Sequence, residues 1–303
     1  SATETSDVFV VADRTEVPPV SLYENQELLP AGGFGYITTR DGTTLSANVV
    51  LPGPADEGPY PTVIEYSGYA PSNPGDTTFA GIYGALGFAY VGVNMRGSGC
   101  SGGSFGYFEY VQSLDGYDVV EAVAAQPWVA NNRVGMVGIS YPGISQLFVA
   151  ATQPPSLAAI TPLSVIDDVY GSTLYPGGVL NTGFAVQWSD ERAGQAEPYG
   201  QAWTRERADA GDQMCADNQL LRLQNPDQAA AIAANEFYDP ATGDELAPRT
   251  IVDQIEVPVF IAGAWQDEQT GGRFATMLDR FTGAPDVFIT LVNGLHTESL
   301  KIG

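Results

Sequence analysis

The feature that most limits how this chain can fold is an alternation. Short runs rich in β-branched and aromatic residues lie at 61–66, 88–94, 134–139 and 157–163, separated by segments at 81–87, 115–126 and 144–151 that read as helices. Strands separated by helical stretches imply a mostly parallel sheet covered on both faces, an α/β fold. The run at 134–139 is almost continuously apolar, as a strand buried on both faces should be. Within 115–126 the apolar side chains Tyr117, Val120, Val123 and Ala124 recur at helical spacing, and Pro127 closes the segment. Asn131 and Asn132 read as the turn before the next strand. Upstream, strands at 36–39 and 44–51 flank Arg40-Asp41-Gly42, a hairpin signal of the Asp-Gly kind.

The rhythm stops near residue 167. From 167 to 250 there is almost no strand signal, Ala, Gln, Asp, Glu and Arg are abundant, and 201–212 and 226–237 read as helices. The sheet pattern then resumes with a strand at 257–262, a helix at 271–281 and a strand at 286–292. The expected organisation is an extension over 1–34, an α/β domain built from 35–166 and 251–303, and a helical cap at 167–250 inserted between its halves. A chain of 303 residues with 44% hydrophobic content can bury such a core.

Charge narrows the function. The formal net charge of -24, from 36 acidic against 12 basic side chains, argues against nucleic acid and anionic membranes, whose binding depends on Lys and Arg. The acidic excess reads as a solvated, self-repelling surface. No acidic cluster has the spacing of a calcium loop, so no metal is expected. No stretch approaches the roughly 18 consecutive apolar residues of a membrane span. The N-terminus lacks the basic-then-apolar pattern of a signal peptide, so any leader is expected to have been removed.

Three residues that can carry chemistry follow predicted strands, where an open parallel sheet displays its ligand-binding groups. Ser140 ends the run at 134–139 and opens a helix, so its hydroxyl would stand on a tight turn above a helix N-terminus. Such a turn needs small residues around the serine. Gly138 supplies one, whereas Pro142 stands where the GxSxG pattern has glycine; proline is tolerated in a helix's first turn. Gly99-Cys100-Ser101-Gly102-Gly103 matches GxSxG literally, but no apolar strand runs into it, and it reads as a flexible loop. Asp267, with Glu268 as its adjacent alternative, lies just past the strand at 257–262, where a carboxylate would orient a histidine. His296 follows the last strand and is the only histidine in the chain, so an imidazole base near neutral pH must be this one. The order Ser, Asp, His, each after a strand, is that of an α/β-hydrolase.

Further motifs strengthen this. Asn94-Met95-Arg96-Gly97-Ser98-Gly99 with Ser101-Gly102-Gly103, the pair Asp115 and Asp118, Gln126-Pro127-Trp128, and the block from Arg133 to Gly143 together resemble the cocaine-esterase and Xaa-Pro dipeptidyl-peptidase branch of the α/β-hydrolases. The likeness runs from about Tyr36 to His296. In that branch the nucleophile motif is GxSxxG, which makes Gly143 the second small position. The resemblance implies an oxyanion hole formed by the Tyr69 hydroxyl, or less readily that of Tyr66, with the N–H of Tyr141. It also implies a helical cap between serine and aspartate. Members continue after the histidine into a jelly-roll domain, which residues 297–303 cannot hold, so the expectation is either a truncated or proteolytically cut product or a separate C-terminal fragment or partner chain that supplies the rest.

The expectation is a serine hydrolase of carboxylic esters or amides with no cofactor, acting on a small ester, amide or short peptide through Ser140, Asp267 and His296. Trp188 and Tyr170 are candidates for the acyl pocket. An Xaa-Pro dipeptidyl peptidase is the near alternative, and a non-catalytic binding or scaffold protein that keeps the fold is the rival from another class. Cys100 and Cys215 cannot build a disulfide framework but are expected to form one bridge between the loop after a strand and the cap. With the small, polar N-terminus, this suggests a secreted or otherwise extracytoplasmic protein.

Overall fold

The computed structural model of the chain describes residues 15–28 and 33–300. Most of the extension expected over 1–34 therefore lies outside the described residues; within it, α1 (Ser21–Glu24) is a single helical turn. Eight strands follow, β1 (Phe34–Thr38), β2 (Thr44–Val50), β3 (Tyr60–Ser67), β4 (Ala89–Asn94), β5 (Val129–Ile139), β6 (Leu157–Leu163), β7 (Val259–Ala264) and β8 (Val287–Val292). They form one sheet in the order β1-β2-β4-β3-β5-β6-β7-β8. The Asp-Gly turn makes β1 and β2 an antiparallel hairpin, and β2 joins β4 antiparallel; every later pairing is parallel. Parallel strands need crossovers: α2 (Thr78–Ala85) joins β3 to its neighbour β4, α3 (Tyr110–Ala124) carries the chain from β4 past β3 to β5, and α4 (Tyr141–Ala151) joins β5 to β6.

Pleating sends alternate residues of a strand to opposite faces. On β3, Ile64 and Tyr66 enter the large core with Val120 and Val123 of α3 and Leu147 and Phe148 of α4. Val63 joins Ala80, Tyr90 and Val137 in a smaller cluster on the other side. Glu65 shares that second face, 6% exposed, and accepts a hydrogen bond from Tyr90 Oη at 2.7 Å. Burial pushes its carboxyl up to about 7 against that hydrogen bond, and Asp76 adds to the rise. Because the folded-state value lies above that of the unfolded chain, folding takes up a proton between about pH 4.5 and 7, and stability falls as pH rises through that window. Glu65→Gln, which keeps an oxygen for Tyr90, should stabilise the protein by about 2–3 kcal/mol near pH 8 and little near pH 4. Equal changes in melting temperature at the two pH values would contradict this.

Three predicted elements are corrected. The helix expected at 115–126 starts at Tyr110, because Glu109 and Gln112 form a capping box that the apolar spacing did not reveal. Asn131 and Asn132 do not precede the strand but sit inside it, at φ 59° and 51°, where β5 shifts register against β3. Asparagine tolerates left-handed backbone, so the turn signal was real and became an irregularity within a strand. The helix expected at 271–281 is a 3₁₀ segment, Gly272–Arg280.

Between β6 and β7 no strand intervenes. This stretch carries a π-helical turn (Val169–Leu174) and α5 (Phe184–Gln195), α6 (Ala202–Asp209), α7 (Gln213–Leu220), α8 (Gln228–Ala234) and α9 (Pro240–Gly243). A disulfide between Cys100 and Cys215 joins the loop after β4 to α7, and both cysteines are fully buried beside Phe34. Asn218, Gln219 and Arg222 donate from the same region to carbonyls of Gly99, Cys100, Ser101 and Gly103. The glycine-rich loop at 97–103 is thus a tightly held seat for the helical segment. Ser101, the serine of the literal GxSxG, is fully buried, donates to Asn94 O at 2.7 Å and accepts from Ser46 N at 2.8 Å. Arg96 is equally structural: it pairs with Asp115 at 2.5 Å and Asp41 at 3.0 Å, and Arg40 pairs with Asp118 at 2.8 Å, so the β1–β2 turn is tied to α3.

Candidate active site

Ser140 stands between β5 and α4 with φ 65° and ψ -125°, a conformation rare for a residue with a side chain. What holds it there is close packing around the turn. A Cβ on Gly138, whose φ is 146°, would lie 2.6 Å from Pro142 Cβ, and one on Gly143 would lie 2.6 Å from Leu163 O. The two positions that must be small are therefore 138 and 143, and Pro142 itself is the reason for the first. Pro142 is the second residue of α4, where the missing N–H leaves no intrahelical bond unmade. Tyr141 N–H, at the first helical position, likewise has no partner within the helix.

His296 and Asp267 are brought together. His296 Nδ1 lies 2.9 Å from Oδ1 and 2.7 Å from Oδ2 of Asp267, and the two residues are 4% and 7% exposed. Burial alone would raise the Asp267 carboxyl, but the hydrogen bonds from His296 and from the Thr270 backbone and hydroxyl outweigh it and hold the group below the ordinary aspartate value. Glu268, the alternative to Asp267, holds the histidine in another way. Its Oε2 accepts from the His296 backbone N–H at 3.0 Å, which lowers its own carboxyl. The two adjacent carboxylates thus grip one histidine, by ring and by main chain.

The end of β6 links this pair to the serine. Ser140 N–H donates to Leu163 O at 2.8 Å, and Ser164 Oγ donates to His296 O at 2.8 Å. Both residues are described, and no hydrogen bond joins the Ser140 hydroxyl to the His296 ring; such contacts commonly tighten only when substrate is bound.

Tyr69 lies beside the serine turn. Its ring meets that of Tyr141 edge to face at 5.4 Å, the Arg192 guanidinium lies 4.9 Å above it, and its hydroxyl accepts from Trp188 Nε1 at 3.1 Å. The tryptophan can only donate, so the tyrosine's own proton remains available to a third group. Tyr66, the alternative, is fully buried and spends its hydroxyl proton on Gln112 O at 3.0 Å. A cavity of about 280 Å³ opens at Ser140, walled by Tyr141, Ile166, Tyr170, Trp188 and the carboxylate-bearing Glu109. Trp188 and Tyr170, the residues singled out for a pocket, thus both line it. Among the described residues no group of three or more His, Cys, Asp or Glu side chains could hold a metal ion, and no helix is long and apolar enough to cross a membrane.

Sequence reasoning missed Thr270, Ser164 and the main-chain role of Glu268. The first had a signal, since Asp-x-x-Thr is a spacing at which a side chain and backbone close on each other. Ser164 had none, because its partner lies 132 residues away.

Sheet, serine turn and the buried histidine–carboxylate pair together define an α/β-hydrolase. Within that class the chain belongs to the X-Pro dipeptidyl-peptidase (S15) family, whose model matches residues 41–298. It is 29% identical over 192 residues to the cocaine esterase of a Rhodococcus species, covering 61% of this chain and 32% of that protein. It is 28% identical over 173 residues to a Mycobacterium bovis protein that carries a serine-esterase name, covering 50% and 27%. In fold it resembles a CocE/NonD family hydrolase from Staphylococcus aureus, with TM-score 0.69 and 21% identity over 89% of this chain and 47% of that one. An alpha-amino acid ester hydrolase gives TM-score 0.63 and 19% identity over 90% and 50%. The chain spans about a third or less of these sequence relatives and about half of these structures.

Proposed function

We propose that the protein is a serine hydrolase that cleaves carboxylic esters or amides through an acyl-enzyme on Ser140. The observation that carries this reading is the buried pair of His296 and Asp267, tied through the end of β6 to the strained Ser140 turn. His296, with Nδ1 engaged by Asp267, accepts the Ser140 proton at Nε2 as Oγ attacks the acyl carbon. The Tyr69 hydroxyl and the Tyr141 N–H donate to the resulting oxyanion, and Trp188 fixes the Tyr69 oxygen. The alcohol or amine departs with the proton from His296. Water, deprotonated by the same imidazole, then releases the acid.

A small, mostly apolar acyl or alcohol group fits the cavity. Glu109, an exposed carboxylate at the cavity edge that also caps α3, favours a second reading, an Xaa-Pro dipeptidyl peptidase, because its free oxygen would receive a substrate ammonium group. The buried Cys100–Cys215 bridge supports an extracytoplasmic location.

A fluorophosphonate probe tests the catalytic reading, and a substrate panel divides its two forms. Adduct mass on the peptide containing Ser140 in folded protein is the expected result; no adduct would favour a non-catalytic scaffold. Turnover of p-nitrophenyl esters without turnover of Xaa-Pro anilides supports the esterase, and the reverse supports the peptidase.

A further inference from the structure

A second cavity, of about 360 Å³, shares with the first the walls Tyr170 and Tyr238, whose rings meet edge to face at 5.4 Å. Its remaining lining is rich in arginine. Three of the 12 basic residues, Arg249, Arg273 and Arg280, converge on it. They face two carboxylates, both already engaged. Asp168 is 3% exposed, pairs with Arg249 and accepts from Gly171 N at 2.6 Å. Asp167 is fully buried, accepts from Ser172 Oγ and from Thr276 Oγ1 at 2.8 Å, and has Arg273 Nη2 at 3.5 Å. Arg280 donates to Arg249 O at 3.4 Å and has no carboxylate partner among the described residues. Asp244 accepts from the Tyr238 hydroxyl that Arg249 also reaches, so the guanidinium in the lining left without a carboxylate partner among the described residues is that of Arg280, with Arg273 held only at 3.5 Å, on a protein whose formal charge is -24.

We propose that this cavity is an anion subsite, and that it receives a carboxylate at the far end of an acyl chain whose scissile carbonyl sits at Ser140. The chain would run along the apolar cavity, pass the two tyrosine rings, and end between Arg273 and Arg280, whose planar donor forks match a carboxylate. The inference rests on the reading of Ser140 as the nucleophile. It adds a substrate class: mono-esters or mono-amides of dicarboxylic acids long enough to bridge the two cavities. Both arginines are solvent-accessible, so the preference should weaken as ionic strength rises.

Two measurements on the whole chain test it. The first compares p-nitrophenyl monoesters of adipic, suberic and sebacic acids with neutral p-nitrophenyl esters of the same chain length. The ratio of kcat/KM, anionic over neutral, should reach about tenfold at one chain length and fall to near one in the R273Q/R280Q double variant. No anionic preference at any length, or one that survives in R273Q/R280Q, overturns the proposal. The second titrates suberate into Ser140→Ala protein by calorimetry, with and without R273Q/R280Q. Weakening of about tenfold by the double variant supports the subsite; equal affinity overturns it. Suberate should also inhibit neutral-ester hydrolysis competitively, and binding without competition would make this a separate anion site and overturn the link to substrate. If wild-type protein hydrolyses no ester at all, the nucleophile reading fails, and the titration still decides whether the arginines bind a carboxylate. Circular dichroism melting checks that the double variant is folded.

Discussion

Ser140→Ala is expected to lower hydrolysis of an activated ester by about 10⁴-fold or more, with kcat carrying the loss and fluorophosphonate labelling abolished. The size follows from what would remain. Without Oγ no acyl-enzyme can form, and turnover would depend on water attacking a carbonyl that Tyr69 and Tyr141 still polarise, the residual catalysis that an oxyanion hole supplies alone. The fold gives no reason for the variant to fail in another way. The hydrogen bonds Ser140 makes are main-chain ones, from its N–H to Leu163 O and from Ile144 N–H to its carbonyl, and alanine keeps both. The positive φ is imposed by the turn and is about as unfavourable for alanine as for serine. An unchanged melting temperature with lost turnover is therefore the predicted pair of results. Hydrolysis at the wild-type rate would remove Ser140 from the mechanism and leave the strained geometry of the turn without a catalytic use.

Why the site was so legible, and parts of the fold less so, has a physical basis. The sheet core is written in runs such as 134–139, where every side chain must be apolar because both faces are covered, so strand identity follows from composition alone. The serine turn is equally explicit, since steric exclusion at Gly138 and Gly143 leaves no other residue type that fits without a shift in the backbone. His296 was found because it is the only imidazole in the chain, not because its surroundings announce it. What the sequence left blank are features whose partners are distant. The hydrogen bond of Trp188 to Tyr69 spans 119 positions, and the convergence of Arg249, Arg273 and Arg280 with Asp167 and Asp168 depends on how β6, the helical stretch and the 3₁₀ segment meet. The spacing of Phe274, Met277 and Leu278 is that of an α-helix, so nothing in the apolar pattern marks this segment as the 3₁₀ helix it forms.

Asp267→Asn should cost nearly as much as loss of the serine, about 10⁴-fold near neutral pH, although it removes no atom of the fold's framework. The reason is directional. Oδ1 of Asp267 receives the backbone N–H groups of Gln269 at 2.9 Å and Thr270 at 2.8 Å, while Oδ2 receives the rotatable Thr270 hydroxyl at 2.7 Å. Asparagine keeps most of these bonds if its oxygen takes the first place and its NH₂ the second, where the threonine hydroxyl can turn to accept. That NH₂ then points at His296 Nδ1, which must become an acceptor, and the ring proton moves to Nε2, the nitrogen needed to take the proton from Ser140. The imidazole would be correctly placed in the wrong tautomer. Glu268→Gln is the informative contrast, because a glutamine oxygen still accepts from the His296 main chain; its kcat should fall by less than about tenfold. Proton NMR of the His296 ring gives a readout that a purely structural role would not move, since the downfield Nδ1–H resonance of a carboxylate-bound imidazole should be present in wild type and Glu268→Gln and absent in Asp267→Asn. Retention of that resonance and of turnover in Asp267→Asn would show that another group orients the base.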